Sequence, residues 1–314
     1  MNRNVKVSVV IPLFNAEKFV KSTLECILNQ TYKDIEVIVI DDGSTDSSLS
    51  IVEKFRDNRL KILKNKKNQG IAYTRNRAIS VASGEYIALM DDDDLAPKDR
   101  IEKEVKFMEQ HSDVDIVLGH MLEIDEKDEV SSHVMYSFLN PLYLKARQLL
   151  GNCIPNGSTL IRKCFLDSKE ITYRDNMYGA EDYRFWVECL VNGANFGIID
   201  DVLLYHRIHA NNACSLAMEY HSEERRKVIS ETQRIALSKS GFMLSEEQYA
   251  VLFEAYKEGK AELKSREEIK NLYKILKEIS IQAVTLKKDN ATEIGIMCRK
   301  SFGDKVGQAF FLWQ

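Results

Sequence analysis

The chain has 314 residues, a net charge of −4 and a pI near 6.0, with 44% hydrophobic and 29% charged residues. That length suits one large domain, or one with a smaller appendage, and the slightly acidic balance excludes the global basic field that recruits nucleic acid. Six cysteines form no CxxC pair, so they read as buried thiols rather than a disulfide frame or zinc site, and no apolar run approaches the ~20 residues of a membrane span.

Met1-Asn2-Arg3-Asn4 leads directly into a strand-like pattern, which predicts no signal peptide and a cytoplasmic location. Residues 5–11 are β-branched and apolar, and Pro12 ends the run, which predicts a strand. Asn15 is then a candidate cap for a helix with Phe19, Thr23, Leu24, Ile27 and Leu28 on one face. A second apolar strand, 35–40, runs into Asp41-Asp42-Gly43-Ser44-Thr45-Asp46. A helix over 47–55, a short strand over 60–63, a polar loop and a helix over 71–81 follow.

Tyr86 to Met90 is the next apolar run, too short for a helix, and it ends in four consecutive aspartates, Asp91 to Asp94. Four carboxylates at the end of a buried strand repel one another; a hard divalent cation relieves that repulsion most economically, and the alternative is a solvated acidic loop. Pro97 suits the first turn of a helix reaching residue 110, and 115–118 reads as another strand. Strand and helix alternating at this spacing predict an α/β fold with a mostly parallel sheet, whose ligands bind outside the carboxyl ends of the strands. Pro12 to Asn15, Asp41 to Ser44 and Asp91 to Asp94 would then converge on one edge.

Residues 151–157 are turn-rich, 158–161 reads as a strand, and Glu181-Asp182 opens a helix. Residues 198–207 read as two short strands around Asp200-Asp201. Long helical patterns over 223–238, 245–257 and 265–287 place a domain boundary near residue 216, giving a domain over 1–215 and a helical region over 216–314. Residues 294–314 show no single pattern. In the helical region, Ile269, Leu272, Leu276 and Ile279 form a face that packs into a core or, as a second reading, serves a homodimer. Lys287, Lys288, Arg299, Lys300 and Lys305, near Phe310-Phe311-Leu312-Trp313, make this end a candidate for peripheral contact with an anionic membrane.

A Gly-x-x-x-x-Gly-Lys-Ser/Thr loop is missing, and so is a Gly-x-Gly-x-x-Gly after the first strand. Asp41 to Asp46 carries its glycine third, not sixth, so it is out of register for an EF-hand. Yet Val7-Ser8-Val9-Val10-Ile11-Pro12-Leu13-Phe14-Asn15, Gln30-Thr31-Tyr32, Val39 to Asp46, Asn68-Gln69-Gly70-Ile71-Ala72, Arg75-Asn76 and Gly84 through Asp93 occur in a specific order. Together they resemble the inverting family-2 glycosyltransferases of the GT-A fold. With Glu181-Asp182 and His209 the resemblance spans residues 5–210 and leaves out the C-terminal helices.

The resemblance implies a nucleoside-diphosphate sugar donor, a UDP-sugar first among them, lying over the ends of the first strands. Pro12, Leu13, Phe14 and Asn15 would line the base pocket, Asp42 would accept a hydrogen bond from the base, and Gly70 and Arg75 would lie beside the nucleotide. The Asp-x-Asp motif maps onto Asp91-Asp92-Asp93, with a one-residue ambiguity that the fourth aspartate creates. Asp91 or Asp92 would touch the ribose, and Asp93 would hold Mn²⁺ or Mg²⁺ bridging the diphosphate. His209 is the candidate to reach the metal or diphosphate, with Arg207 in reserve. Asp182 is the candidate base, with Glu181 orienting or contacting the acceptor, although acidic residues suit any helix start. The implied reaction moves one hexosyl or N-acetylhexosaminyl group to a glycan acceptor, lipid-linked or protein-linked, at the inner face of the membrane. Residues 131–155 are expected to set donor and acceptor choice. A catalytically silent nucleotide-sugar-binding or scaffold protein is the alternative, and a sugar nucleotidyltransferase is disfavoured by the missing glycine- and lysine-rich triphosphate loop.

Overall fold

β-Branched residues make Val7–Leu13 the first strand (β1), and it is buried along its whole length, as a strand covered on both faces should be. Ile35–Asp41 (β2) is equally buried and pairs with β1 in parallel, Leu13 opposite Asp41. Tyr86–Leu89 (β4) lies parallel on the other side of β1, and Leu60–Lys64 (β3) lies parallel outside β2. The computed structural model describes residues 6–132, 140–210, 212–256 and 265–311.

Ile116–Ile124 (β5), Val130–Ser132 (β6), Thr159–Arg162 (β7) and Phe196–Arg207 (β8) complete one sheet among the described residues. Its order is β3-β2-β1-β4-β7-β5-β6, with β8 beside β5. β7 runs antiparallel between β4 and β5, and β8 runs parallel to β5. Because β2, β1 and β4 are adjacent and parallel, their carboxyl ends share one edge, which is the α/β arrangement the alternation predicts. Val20–Leu28 (α1), Ser48–Val52 (α2), Ile71–Val81 (α3) and Arg100–Gln110 (α4) follow the strands.

Four local expectations change. Asn15 caps no helix: it sits at φ 52°, and α1 begins only at Val20. Pro97 lies one turn before α4, its carbonyl accepting the Arg100 N–H at 3.1 Å. Residues 196–207 form a single strand with register shifts near Gly119 and His120. Its mid-strand acids are satisfied there, Asp200 lying 2.9 Å from His120 and Asp201 2.5 Å from Lys103. The patternless end is one helix, Ala291–Phe311, called α12 below. Val5, residues 133–139 of the proposed specificity segment, Lys257 and Leu312-Trp313 lie outside the described residues.

Contacts divide the chain into two units: 1–139, 154–176 and 192–212 carry the sheet, while 140–153, 177–191 and 213–314 are helical. The second unit contains Pro141–Gln148 (α5), Glu181–Val191 (α7), Ala213–Tyr220 (α8), Ser222–Lys239 (α9), Glu246–Tyr256 (α10), Arg266–Thr285 (α11) and α12. Lys163–Lys169 (α6) belongs to the first. The helix opened by Glu181-Asp182 therefore groups by contact with the C-terminal helices. Leu149, Tyr183, Val187, Leu237, Leu272, Ile275, Leu276, Ile279 and Met297 belong to that unit's core.

In the sheet unit, a fully buried ion pair backs the end of β4. Arg100 Nε donates to Glu104 at 3.0 Å, while its Nη2 donates to the Leu89 carbonyl at 3.0 Å and the Thr159 carbonyl at 3.3 Å. Burial pushes the Glu104 carboxyl up to about 7 against the pull of Arg100. Breaking one half of such a pair strands the other charge in the interior. The pair thus fixes the backbone from which the aspartate run departs.

Candidate active site

The first half of the site forms where β1 and β2 end. Asp42 N–H donates to the Leu13 carbonyl at 2.8 Å, tying the two strand ends together. The buried Asp42 carboxylate accepts from Asn65 Nδ2 at 2.7 Å, the Gln69 N–H at 2.9 Å and the Gly70 N–H at 2.8 Å. A carboxylate has about four acceptor positions, and these three donors use three of Asp42's. Two glycines permit this closure. Gly43, at φ 75°, comes so near the next loop that a Cβ would lie 2.9 Å from the Asn68 nitrogen, and Gly70, at φ 89°, leads into α3. Asn15 uses its left-handed backbone differently: its Oδ1 accepts the Thr45 N–H at 2.8 Å, and its own N–H donates to Ser44 Oγ at 3.1 Å.

Asn65, which the motifs do not single out, holds Asp42 in place. Its Nδ2 also reaches Thr74 Oγ1 at 3.0 Å, and its Oδ1 accepts from Arg77 at 2.5 Å.

On the other side of β1, the four aspartates have four different sets of partners. Asp91 pairs with Arg75 at 2.7 Å, and that buried guanidinium lies over the Tyr173 ring. Asp92 accepts the Phe14 N–H at 2.9 Å, joining the ends of β4 and β1. Asp93 Oδ2 lies 2.9 Å from His209 Nε2 and accepts from Asn212 Nδ2 at 3.2 Å. Asp94 is buried, accepting the Arg207 N–H at 2.9 Å and facing His206 Nδ1 at 3.0 Å. Thr23 Oγ1 lies within hydrogen-bond reach of the Asp92 and Asp94 carbonyls, at 3.1 and 2.9 Å.

Electrostatics separates these carboxylates further. Burial, with the neighbouring charges of Asp93 and Asp91, raises Asp92 well above the ordinary carboxylate range despite the Phe14 N–H. Burial raises Asp94 to about 6, against its hydrogen bond from His206. Burial alone would lower His206, but Asp94 draws it up to about 9, so at neutral pH the two form an imidazolium–carboxylate pair. Asp94 is accordingly a structural member of the run, linking it to β8.

Arg207 is internal as well. Its Nε donates to the Asp93 carbonyl at 2.8 Å, its Nη1 meets the Asp125 carbonyl at 3.0 Å and the Asp128 carboxylate, and its guanidinium lies over Phe19. His209 packs on the same ring, centroid to centroid 4.8 Å. Arg207 thus braces the aspartate backbone, while His209 reaches the Asp93 carboxylate.

The donor set around Asp93 suits a divalent ion. Asp93 Oδ2 and His209 Nε2 meet at 2.9 Å, a hydrogen-bond distance, and a carboxylate beside an imidazole is a donor pair that divalent ions accept. Asp92 is raised first by burial and only then by the charges of Asp93 and Asp91, and a cation would offset that second part alone. Among the described residues no three His, Cys, Asp or Glu side chains form a metal-binding group of their own. Ions that act on phosphates need few protein ligands, because the substrate oxygens and water complete the shell.

In the helical unit, Asp182 occupies the first turn of α7. Its Oδ2 accepts from Asn152 Nδ2 at 2.8 Å and its Oδ1 from the Tyr183 N–H at 2.6 Å, while Glu181 beside it is buried. The approach to this helix is left-handed at Tyr178 (φ 48°) and Gly179 (φ 74°). Arg225 holds the Tyr178 carbonyl at 3.1 Å, and His221 packs on the Tyr178 ring. A non-glycine residue in that region stores backbone strain, and such strain concentrates at functional sites.

This sheet topology and its strand-end carboxylates define a GT-A glycosyltransferase, and residues 8–168, just over half the chain, match the Glycosyl transferase family 2 profile. The chain belongs to that family. It is 31% identical over 207 residues to the Escherichia coli UDP-Glc:alpha-D-GlcNAc-diphosphoundecaprenol beta-1,3-glucosyltransferase WfaP, covering 66% of this chain and 78% of that one. Its fold resembles that of Staphylococcus aureus TarS residues 1–349 in complex with UDP-GlcNAc, at a TM-score of 0.64 and 22% identity over 94% of this chain and 92% of that one. The mannosyltransferase PcManGT from Pyrobaculum calidifontis, solved with GDP-Man and Mn²⁺, is similar at a TM-score of 0.58 and 17% identity over 100% and 89%.

Proposed function

We propose that this glycosyltransferase moves one sugar from a UDP-sugar to a glycan hydroxyl, with inversion at the anomeric carbon, during assembly of a surface glycan. The observation that carries the reading is the shared edge of β2, β1 and β4: an orientated acceptor, Asp42, stands on one side of the β1 end and the Asp91–Asp93 run on the other. A uracil presents a ring N–H to an acceptor such as Asp42, and a diphosphate is the natural partner of a cation held by Asp93. The names of WfaP and TarS's ligand, both with uridine-linked sugars, support this donor class. WfaP's diphosphoundecaprenol-linked acceptor likewise supports a lipid-linked glycan.

Asp42, held by Asn65 and the 69–70 backbone, fixes the base, and Arg75 fixes Asp91 beside the ribose. Asp93 and His209 would hold Mn²⁺ or Mg²⁺, which when bound offsets charge on the departing diphosphate. Asp182 removes the acceptor proton as the anomeric carbon is attacked from the face opposite the leaving group. Glu181 orients the acceptor.

A panel of radiolabelled nucleotide sugars tests the reading. Label passing from a UDP-sugar to a glycan product with inverted anomeric configuration is the expected result; binding without transfer to any glycan would instead identify a silent member of the family. Asn65→Ala supplies a finer test. Without Asn65 the Asp42 carboxylate is held by the 69–70 backbone alone, so it is less fixed for a ligand and the dissociation constant for UDP should rise. At saturating donor, kcat should stay near that of the parent; an unchanged UDP affinity would remove Asn65 from base recognition.

A further inference from the structure

Helix α11 buries Leu272, Ile275, Leu276, Ile279 and Ala283. Its opposite face carries another pattern. From Lys270 to Lys287 the exposed residues are Lys270, Tyr273, Lys274, Lys277, Ile281, Val284, Thr285, Leu286 and Lys287, and the exposed acids Glu267, Glu268 and Asp289 lie just outside this stretch at its two ends. The apolar members stand well out, Tyr273 at 50%, Ile281 at 56% and Val284 at 66% exposure. Successive steps of three and four residues place Lys270, Tyr273, Lys274, Lys277, Ile281 and Val284 on one stripe. Met243, 80% exposed, is held beside it by reciprocal hydrogen bonds with Gln282, both 2.8 Å. Glu278, half-buried beside the stripe, accepts hydrogen bonds from Gln248 and Gln282 and keeps its negative charge.

Exposed aliphatic side chains are ordinary one at a time, but here Tyr273, Ile281 and Val284 share one stripe with three lysines, Lys270, Lys274 and Lys277, that make no ion pair among the described residues. We propose that this face of α11 seats the protein on an anionic lipid surface. Tyr273, Ile281 and Val284 enter the boundary between headgroups and acyl chains, and the lysine ammonium groups meet lipid phosphates. Charge decides against a second copy of the same face, because a two-fold contact would set lysines against lysines. The bare aliphatic groups decide against a dissolved polyanion, which would engage lysines alone. The stripe from Lys270 to Val284 precedes the basic and aromatic cluster expected at the chain's end, which the exposed stretch touches only at Lys287, and it stands independently of the donor and the reaction.

Flotation of the full chain with vesicles provides the test. It should bind vesicles of equal parts phosphatidylglycerol and phosphatidylcholine, fail to bind phosphatidylcholine alone, and dissociate with added salt. The triple variant K270Q/K274Q/K277Q and the double variant I281S/V284S should each lower partitioning about tenfold or more. Lys106→Gln, an exposed lysine on α4, should leave it unchanged. All of these sites are exposed, and melting temperatures matching the parent's confirm intact folding. Absence of binding to anionic vesicles overturns the proposal. So does binding unaffected by I281S/V284S, which indicates simple polyanion attraction, or dissociation of a dimer by that variant in light scattering, which assigns the face to a second copy.

Discussion

Asp182→Asn should lower kcat by about a thousandfold, the size of effect expected when a general base is removed, while the affinity for the donor stays at the parent value. The amide keeps the shape of the side chain and still accepts the Tyr183 N–H, and Asn152 can turn its own amide to meet the new donor. What it loses is the ability to take the acceptor's proton. Single-turnover transfer, read beside UDP affinity, separates the two effects. Transfer at the parent rate would take Asp182 out of the chemistry; loss of donor binding together with transfer would make it a structural residue of α7.

The second large effect falls on donor handling. Asp93→Asn keeps a side chain that can contact Asn212 but removes the charge facing His209. Turnover should drop about a hundredfold or more, since electrostatic stabilisation of the leaving group is lost with the ion. The melting-point rise given by UDP with Mn²⁺ should disappear as well, because a ligand that binds only the folded state stabilises it in proportion to its affinity. Asp94→Asn acts by another route: it disrupts the Arg207 and His206 contacts and lowers the melting temperature of the unliganded protein. Equal behaviour of the two variants would contradict the division of labour within the run.

The succession of strands along the chain, and the meeting of three carboxyl ends on one edge, were legible because β-branched and apolar runs stop abruptly at polar clusters, as at Ile40-Asp41 and Met90-Asp91; the order of strands in the sheet was not. The duties of the individual aspartates were not. Four identical side chains differ only in their partners, and those partners come from Phe14, Arg75, His206, Arg207, His209 and Asn212, far along the chain. Asn65 gave no signal of its own, lying in a lysine-rich loop that reads as solvated. Asn15 shows the opposite failure. Its local pattern suits a helix cap, but contacts with Ser44 and Thr45 from the next strand end claim it first. Residues 291–311 carry Gly295 and Gly303, poor helix formers, and tertiary packing beside α11 decides what propensity could not.

The central claim concerns one edge of one sheet, and a crystal grown with uridine diphosphate and Mn²⁺ tests it most directly. The uracil ring N–H should lie within hydrogen-bond distance of Asp42, with the ion between the diphosphate and Asp93. A nucleotide bound elsewhere on the molecule, or seated here with Asp42 and Asp93 both out of contact, would contradict it.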